Sequence, residues 1–156
     1  MLTFVVASLC AANAQVNQSY VAGSYTGNIT KAVMNGTDVM GKFSGQQFTF
    51  SIVDKGGGNY ALSGKLDFMG GPAHHVIDFS DQRVIFTVDE SGNIEGSGLG
   101  HITVTALLIK WMNKDFDVRP IEGKIDAQGH LTFSMKCFVH DSKYTAEFAF
   151  DGQKVN

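Results

Sequence analysis

Apolar and polar residues alternate with a period of two through most of the chain after residue 22, most cleanly from Ile121 to Asp151. There Leu131, Phe133, Met135, Cys137 and Val139 share one face, opposite Thr132, Ser134 and Lys136; Tyr144, Ala146, Phe148 and Phe150 then alternate with Thr145, Glu147 and Asp151. The breaks at Ala127-Gln128-Gly129 and His140-Asp141-Ser142 are too short for a parallel crossover, so they join neighbouring antiparallel strands. The segment predicts a three-stranded meander.

The same design repeats upstream. Tyr25, Gly27 and Ile29 alternate in a first strand from Gly23, Phe48, Phe50 and Ile52 in a second over 46–53, and Tyr60, Leu62, Gly64, Leu66 and Phe68 in a third over 59–68. The glycines between Lys55 and Asn59 lack a following Lys-Ser/Thr and open no helix, so they form a hairpin loop and not a phosphate cradle. Residues 69–82 predict a long loop before a fourth strand over 83–89. A fifth begins at Ile94, passes Gly96, Gly98 and Gly100, and continues through Ile102, Val104 and Ala106; Asn113-Lys114-Asp115 predicts the turn into the sixth. About eight strands in sequential order predict an all-β fold, a single antiparallel up-and-down barrel. Eight is the number at which such a sheet closes round a narrow interior and loses its edges.

Composition changes this picture little. The 156 residues suit one domain with a sizeable core, and 18 Gly, 12 Phe and only 2 Pro suit short strands and tight turns. A formal charge of −3 with no Lys/Arg cluster excludes a nucleic-acid surface.

The first fourteen residues stand apart. They carry no charge, hold an apolar run from Leu2 to Cys10, and end in Ala12-Asn13-Ala14, the small-x-small pattern of a signal-peptidase site. The chain therefore divides into an export signal over 1–14, a lead-in over 15–22 and a barrel over 23–156, with a periplasmic or secreted address and no transmembrane segment. The alternatives are that 1–14 is a buried element of the domain, or that Cys10 is a lipid anchor. Leu9 argues against the second, because Gly or Ala normally precedes an acylated cysteine. Cleavage after Ala14 leaves Cys137 as the sole cysteine, so no intramolecular disulfide forms; Cys137 falls on the inward phase as a small apolar filler.

The order GSYTGNI, FTFSIVDKGGGNYALSGKL, IEGSGLGHITV, IEGKIDAQGHLTFSM and YTAEFAFDG resembles the bacterial calycin-like β-barrel family, small secreted proteins of Bacteroidota. The resemblance spans nearly all of the chain after the signal and implies a lipocalin-like architecture. It implies no activity, and Gly23-Ser24-Tyr25 stands where lipocalins have Gly-x-Trp.

Few residues suggest chemistry. His74 and His75 with Asp78 and Asp81 could approach a metal, but adjacent histidines in extended chain point apart, and a solvated loop explains them. His101, His130 and His140 sit singly. Asp67, Glu95, Glu122, Asp126 and Glu147 fall mostly on the phase opposite the apolar residues, so they face water and not a common cleft. No nucleophile elbow is present. The expectation is a non-enzymatic barrel without metal or cofactor. Its inward residues Phe48, Phe50, Tyr60, Leu62, Phe86, Phe133, Met135 and Phe148, with Trp111 near a mouth, would either fill the lumen or line a site for a small apolar or amphipathic ligand.

One segment breaks the alternation. Ala106–Met112, ALLIKWM, is apolar on both phases, so in a continuing fifth strand Leu107, Ile109 and Trp111 would face water. Such a patch suggests a lid, a protein-partner surface or a homodimer contact, unless another loop or the N-terminal arm covers it. Sequons at Asn17, Asn28 and Asn35 matter only in a eukaryotic secretory route.

Overall fold

A computed structural model describes residues 18–156. The expected export signal over 1–14, the alternatives for Cys10 and the sequon at Asn17 lie outside the described residues. The described chain is all-β apart from single helical turns at Gln18–Tyr20 and Met40–Lys42. Its strands are β1 (Gly23–Met34), β2 (Thr37–Asp38), β3 (Phe48–Gly56), β4 (Asn59–Gly70), β5 (Ala73–Asp78), β6 (Val84–Val88), β7 (Asn93–Ala106), β8 (Ile109–Ile125), β9 (His130–Val139) and β10 (Thr145–Val155).

All pairings are antiparallel, and β1 also pairs with β10 along its whole length, from Ser24↔Val155 to Met34↔Ala146, so the sheet closes. Eight positions make the wall. β5 and β6 share one of them end to end between β4 and β7: β5 pairs Leu66↔Ile77 and Ile77↔Ile102, and β6 pairs Tyr60↔Phe86 and Phe86↔Gly96. The expected loop over 69–82 is thus largely strand. Its alternation is hidden by the polar pair His74-His75, and tertiary pairing on both edges overrides the weak local pattern.

The expected turn at Asn113–Asp115 is also corrected. The chain reverses at Leu107-Leu108, and β8 runs without interruption from Ile109, closed on β7 by the pair Ala106↔Ile109. Asn113, Lys114 and Asp115 lie within that strand, opposite Thr103, Ile102 and His101. Polar residues suggested a turn because this stretch is solvated, which a strand tolerates as readily.

Alternation places the apolar phase inside, where Tyr25, Phe50, Leu62, Leu66, Val84, Val118, Leu131 and Phe150 are buried in one continuous cluster. Rings fill the middle: Phe50 stands edge-on to Phe133 and Phe150 at 5.4 and 5.0 Å between centroids, and Phe133 stacks on Phe150 at 5.2 Å. Phe79, where the chain leaves β5, inserts between Phe50 and Phe116 at 6.3 and 5.8 Å. Glycines on the inward phase do not open the lumen; they let neighbouring backbone approach. A Cβ on Gly96 would lie 2.1 Å from the Ile85 carbonyl oxygen, and one on Gly98 2.0 Å from that of Arg83.

The two ends are closed differently. At the N-terminal end, Val21 is buried and the Tyr25 hydroxyl donates to the Val21 carbonyl at 2.6 Å, which ties the lead-in across the opening. Burial, and secondarily the neighbouring Tyr20, push the Tyr25 phenol up to about 12, so it stays a donor. At the other, distal end, the loop between β2 and β3 drops Phe43 inward, 4.7 Å from Phe68 and 5.8 Å from Phe48 between ring centroids.

Candidate functional site

The ligand-lining expectation divides once the barrel closes. Phe48, Phe50, Tyr60, Leu62, Phe86, Phe133, Met135 and Phe148 are all buried and belong to one packed cluster. They are spread along the barrel: Tyr60 and Phe86 stack near the N-terminal end, while Phe148 faces Phe43 at the distal end. Trp111 is not among them. It lies at the distal end, opposite the end near which Tyr60 is buried. The cleft nearest to a ligand site opens at the distal end between Met34, Ile77, Phe116, Cys137 and Tyr144; its volume of about 20 Å³ suits roughly one water. Cys137 lines it, and burial raises the thiol to about 12.

The histidines meet carboxylates that no sequence spacing links. His74 contacts Asp67, His101 contacts Asp115, His130 contacts Asp151 and His140 contacts Asp117, each on a neighbouring strand or turn. His75 instead stacks on Phe68 at 5.0 Å and 9° between planes, and burial lowers its pKa. Asp78 pairs with Lys65. The suspected set His74, His75 and Asp78 therefore does not converge, and no three His, Cys, Asp or Glu side chains among the described residues are placed to share a metal ion.

The densest polar group joins β7, β8 and the start of β6. Arg83 donates two parallel hydrogen bonds to Asp115 at 2.8 and 3.0 Å; the His101 ring lies 2.8 Å from Asp115 and 2.7 Å from the Asn113 side-chain oxygen. The hydrogen bond to Asp115, and next the one to Asn113, raise the His101 pKa, while Arg83 and then His101 hold Asp115 well below the carboxylate range. Both imidazole nitrogens are thus engaged within the sheet, leaving none directed at a substrate. The group clamps the flank of the β7–β8 hairpin.

That hairpin carries the exposed apolar surface. Leu107 and Leu108, at its tip, are 84% and 101% exposed, with Ile109 at 63% and Trp111 at 72%. Leu107, Ile109 and Trp111, which the sequence turned outward, are all exposed on this hairpin. Leu108 was missed because an extended strand would have turned it inward. Trp111 is the extra residue of a bulge between the pairs Val104↔Met112 and Thr105↔Lys110.

Nothing among the described residues covers this tip, and it is not isolated. Met69, Phe138 and Tyr144 are also exposed at the distal end, so among the described residues seven of the eight large exposed apolar side chains gather there, Val155 being the exception. The hairpin is also free along one edge: β9 first pairs with β8 at Phe116, so β8 from Ile109 to Asp115 has no neighbour there, while β5 accompanies β7 on the other side as far as His74↔Thr105. That free edge is roughly 20 Å long at the usual rise per residue.

No family model, curated protein or solved structure matches this chain. Among the described residues no helix is long and apolar enough to cross a membrane. The site is therefore read from its own geometry: a packed barrel, closed at both ends, with an apolar hairpin standing out from one of them.

Proposed function

We propose that this chain is an exported, non-enzymatic docking barrel of the calycin-like kind, in which the packed wall is a scaffold and the distal end is the recognition surface. The observation that supports the reading is the separation of two apolar populations: the inward one is consumed in ring-to-ring packing, and the outward one is concentrated round Leu107, Leu108, Ile109 and Trp111. Surfaces of this kind mark interaction sites. The alternation of the sequence and its Ala12-Asn13-Ala14 end support the calycin-like kinship and export.

A second reading, a carrier of a small apolar molecule, has one foothold in the distal cleft beside Tyr144, which would have to widen well beyond about 20 Å³ to admit a ligand. Two measurements separate the readings. Retention of the folded protein on a phenyl matrix, lost when Leu107 and Leu108 are both changed to Asp, is the outcome expected of a docking end. A stoichiometric apolar cargo extracted from protein purified from its own host, and held equally by that variant, would return the function to the lumen.

A further inference from the structure

Five features of the distal end bear on what it docks against. The tip is a two-residue turn, and the groove of about 290 Å³ that a second copy could offer it, beside Val33, Phe138 and Ala146, is edged by the charged Lys136 and Glu147, so a second copy is the poorer fit. The free edge of β8 is guarded against strand addition by the Trp111 bulge and by exposed Lys110 and Lys114. Aliphatic residues lead, and aromatic and cationic groups follow. At about 3.4 Å per residue, Lys110 lies roughly 7 Å and Trp111 roughly 10 Å behind Leu108.

Charge is distributed to match. Lys110, Lys114 and Lys143 are exposed near the tip and have no carboxylate partner among the described residues; on the same half Asp67, Asp115, Asp117 and Glu147 are engaged by His74, Arg83, Arg119 and Lys31, and only the exposed Asp38 and Asp141 lack a cationic partner. Asp54, Asp89, Glu90, Glu95, Glu122 and Asp126 crowd the opposite end.

The tip also holds an unfavourable backbone. Leu107 and Leu108 occupy a two-residue turn with φ of 51° and 65°, the left-handed region that suits Asn and Gly. The same turn between β1 and β2 is made by Asn35-Gly36, with φ of 50° and 78°. The chain has the suitable residues in one hairpin and two strained, solvent-facing leucines in the other.

We propose that the β7–β8 tip is a wedge that inserts shallowly into an anionic lipid surface. Leu107, Leu108 and Ile109 enter the acyl boundary, Trp111 settles at headgroup level, and Lys110, Lys114 and Lys143 meet the lipid phosphates. The barrel stays outside, since its outer phase, with Thr26, Thr49, Glu122 and Lys124, is polar. This inference rests on the docking reading above and names its partner.

Trp111 is the sole tryptophan, so its emission reports the tip alone, independently of the apolar run Leu2–Cys10 in the same chain. The test titrates the full chain with vesicles of one part phosphatidylglycerol to three parts phosphatidylcholine. A blue shift, quenching by lipids brominated near the headgroup, and weakening by salt are expected. Leu107→Asn with Leu108→Gly, a variant that keeps the turn, should partition about a hundredfold more weakly, roughly tenfold for each leucine. Lys110→Gln and Lys114→Gln should each weaken binding about fivefold.

An unchanged Trp111 emission would overturn the inference, as would equal binding to vesicles of phosphatidylcholine alone. A tip-dependent dimer in sedimentation, without any vesicle response, would assign the surface to a second copy and overturn the lipid partner while keeping the docking reading. Absence of both phenyl-matrix retention and a vesicle response in the unaltered chain would remove both readings.

Discussion

Replacing Leu107-Leu108 with the chain's own Asn-Gly turn should stabilise the fold. Each leucine in the left-handed region costs about 1–2 kcal/mol relative to ordinary backbone, whereas glycine adopts it freely and asparagine at reduced cost. Against this gain of about 2–3 kcal/mol stands the extra freedom that Gly brings to the unfolded chain, about 0.5–1 kcal/mol. No packing is lost, because the two leucines are 84% and 101% exposed. The net expectation is about 1–2 kcal/mol, which for a chain of this size raises Tm by roughly 2–6 °C. Equilibrium urea unfolding followed by far-ultraviolet circular dichroism reads it as a higher midpoint with an unchanged slope, since the surface exposed on unfolding hardly changes. A midpoint that stays put or falls would show that the tip carries no strain, and the argument that stability is sacrificed there for an apolar surface would fail.

Other outcomes follow from the same structure. Phe50→Ala should cost about 3–5 kcal/mol in urea unfolding, because its ring is enclosed by Phe79, Phe133 and Phe150, whereas Trp111→Ala should stay within about 0.5 kcal/mol; near-equal costs would refute the packed lumen. The folded pKa of His101 lies above its ordinary 6.5, so its contribution to stability is complete below that value and is lost as pH rises through the folded pKa. That of Asp115, held low, is present above its ordinary 3.8 and is lost only as pH falls through its folded pKa. The stability gap between the wild type and His101→Gln should therefore be widest in the mildly acidic range and shrink towards alkaline pH; a gap that grows would invert the assignment. Cys137 should resist iodoacetamide at mildly alkaline pH until the protein unfolds, as followed by peptide mass spectrometry, since its thiol is buried and raised to about 12. Rapid labelling of the native protein would show that the distal cleft opens.

Much of the wall was legible because a strand with one buried face repeats every two residues, and that period survives in the one-dimensional chain. Leu131 to Val139 and Phe148 to Phe150 lie where the alternation put them. Three rings that complete the core were not visible in this way. Phe43 and Phe79 are single aromatics outside periodic runs, and Phe116 sits among polar neighbours that suggested a turn; each is placed by the space the closed barrel leaves. The apolar segment Ala106–Met112 was recognised as anomalous, but its reversal was hidden, because Leu-Leu carries none of the chemistry of a left-handed turn.

The sequence by itself determined an all-β chain, its sequential antiparallel order and its inward face, since these depend on residue type and on spacings of two. Only the tertiary structure decided that β5 and β6 share one wall position, that the lumen is filled by rings, and that each partnered histidine meets its own aspartate. Those outcomes depend on register between strands tens of residues apart and on how much volume remains when the ring closes, and neither quantity is written in any local stretch of residues.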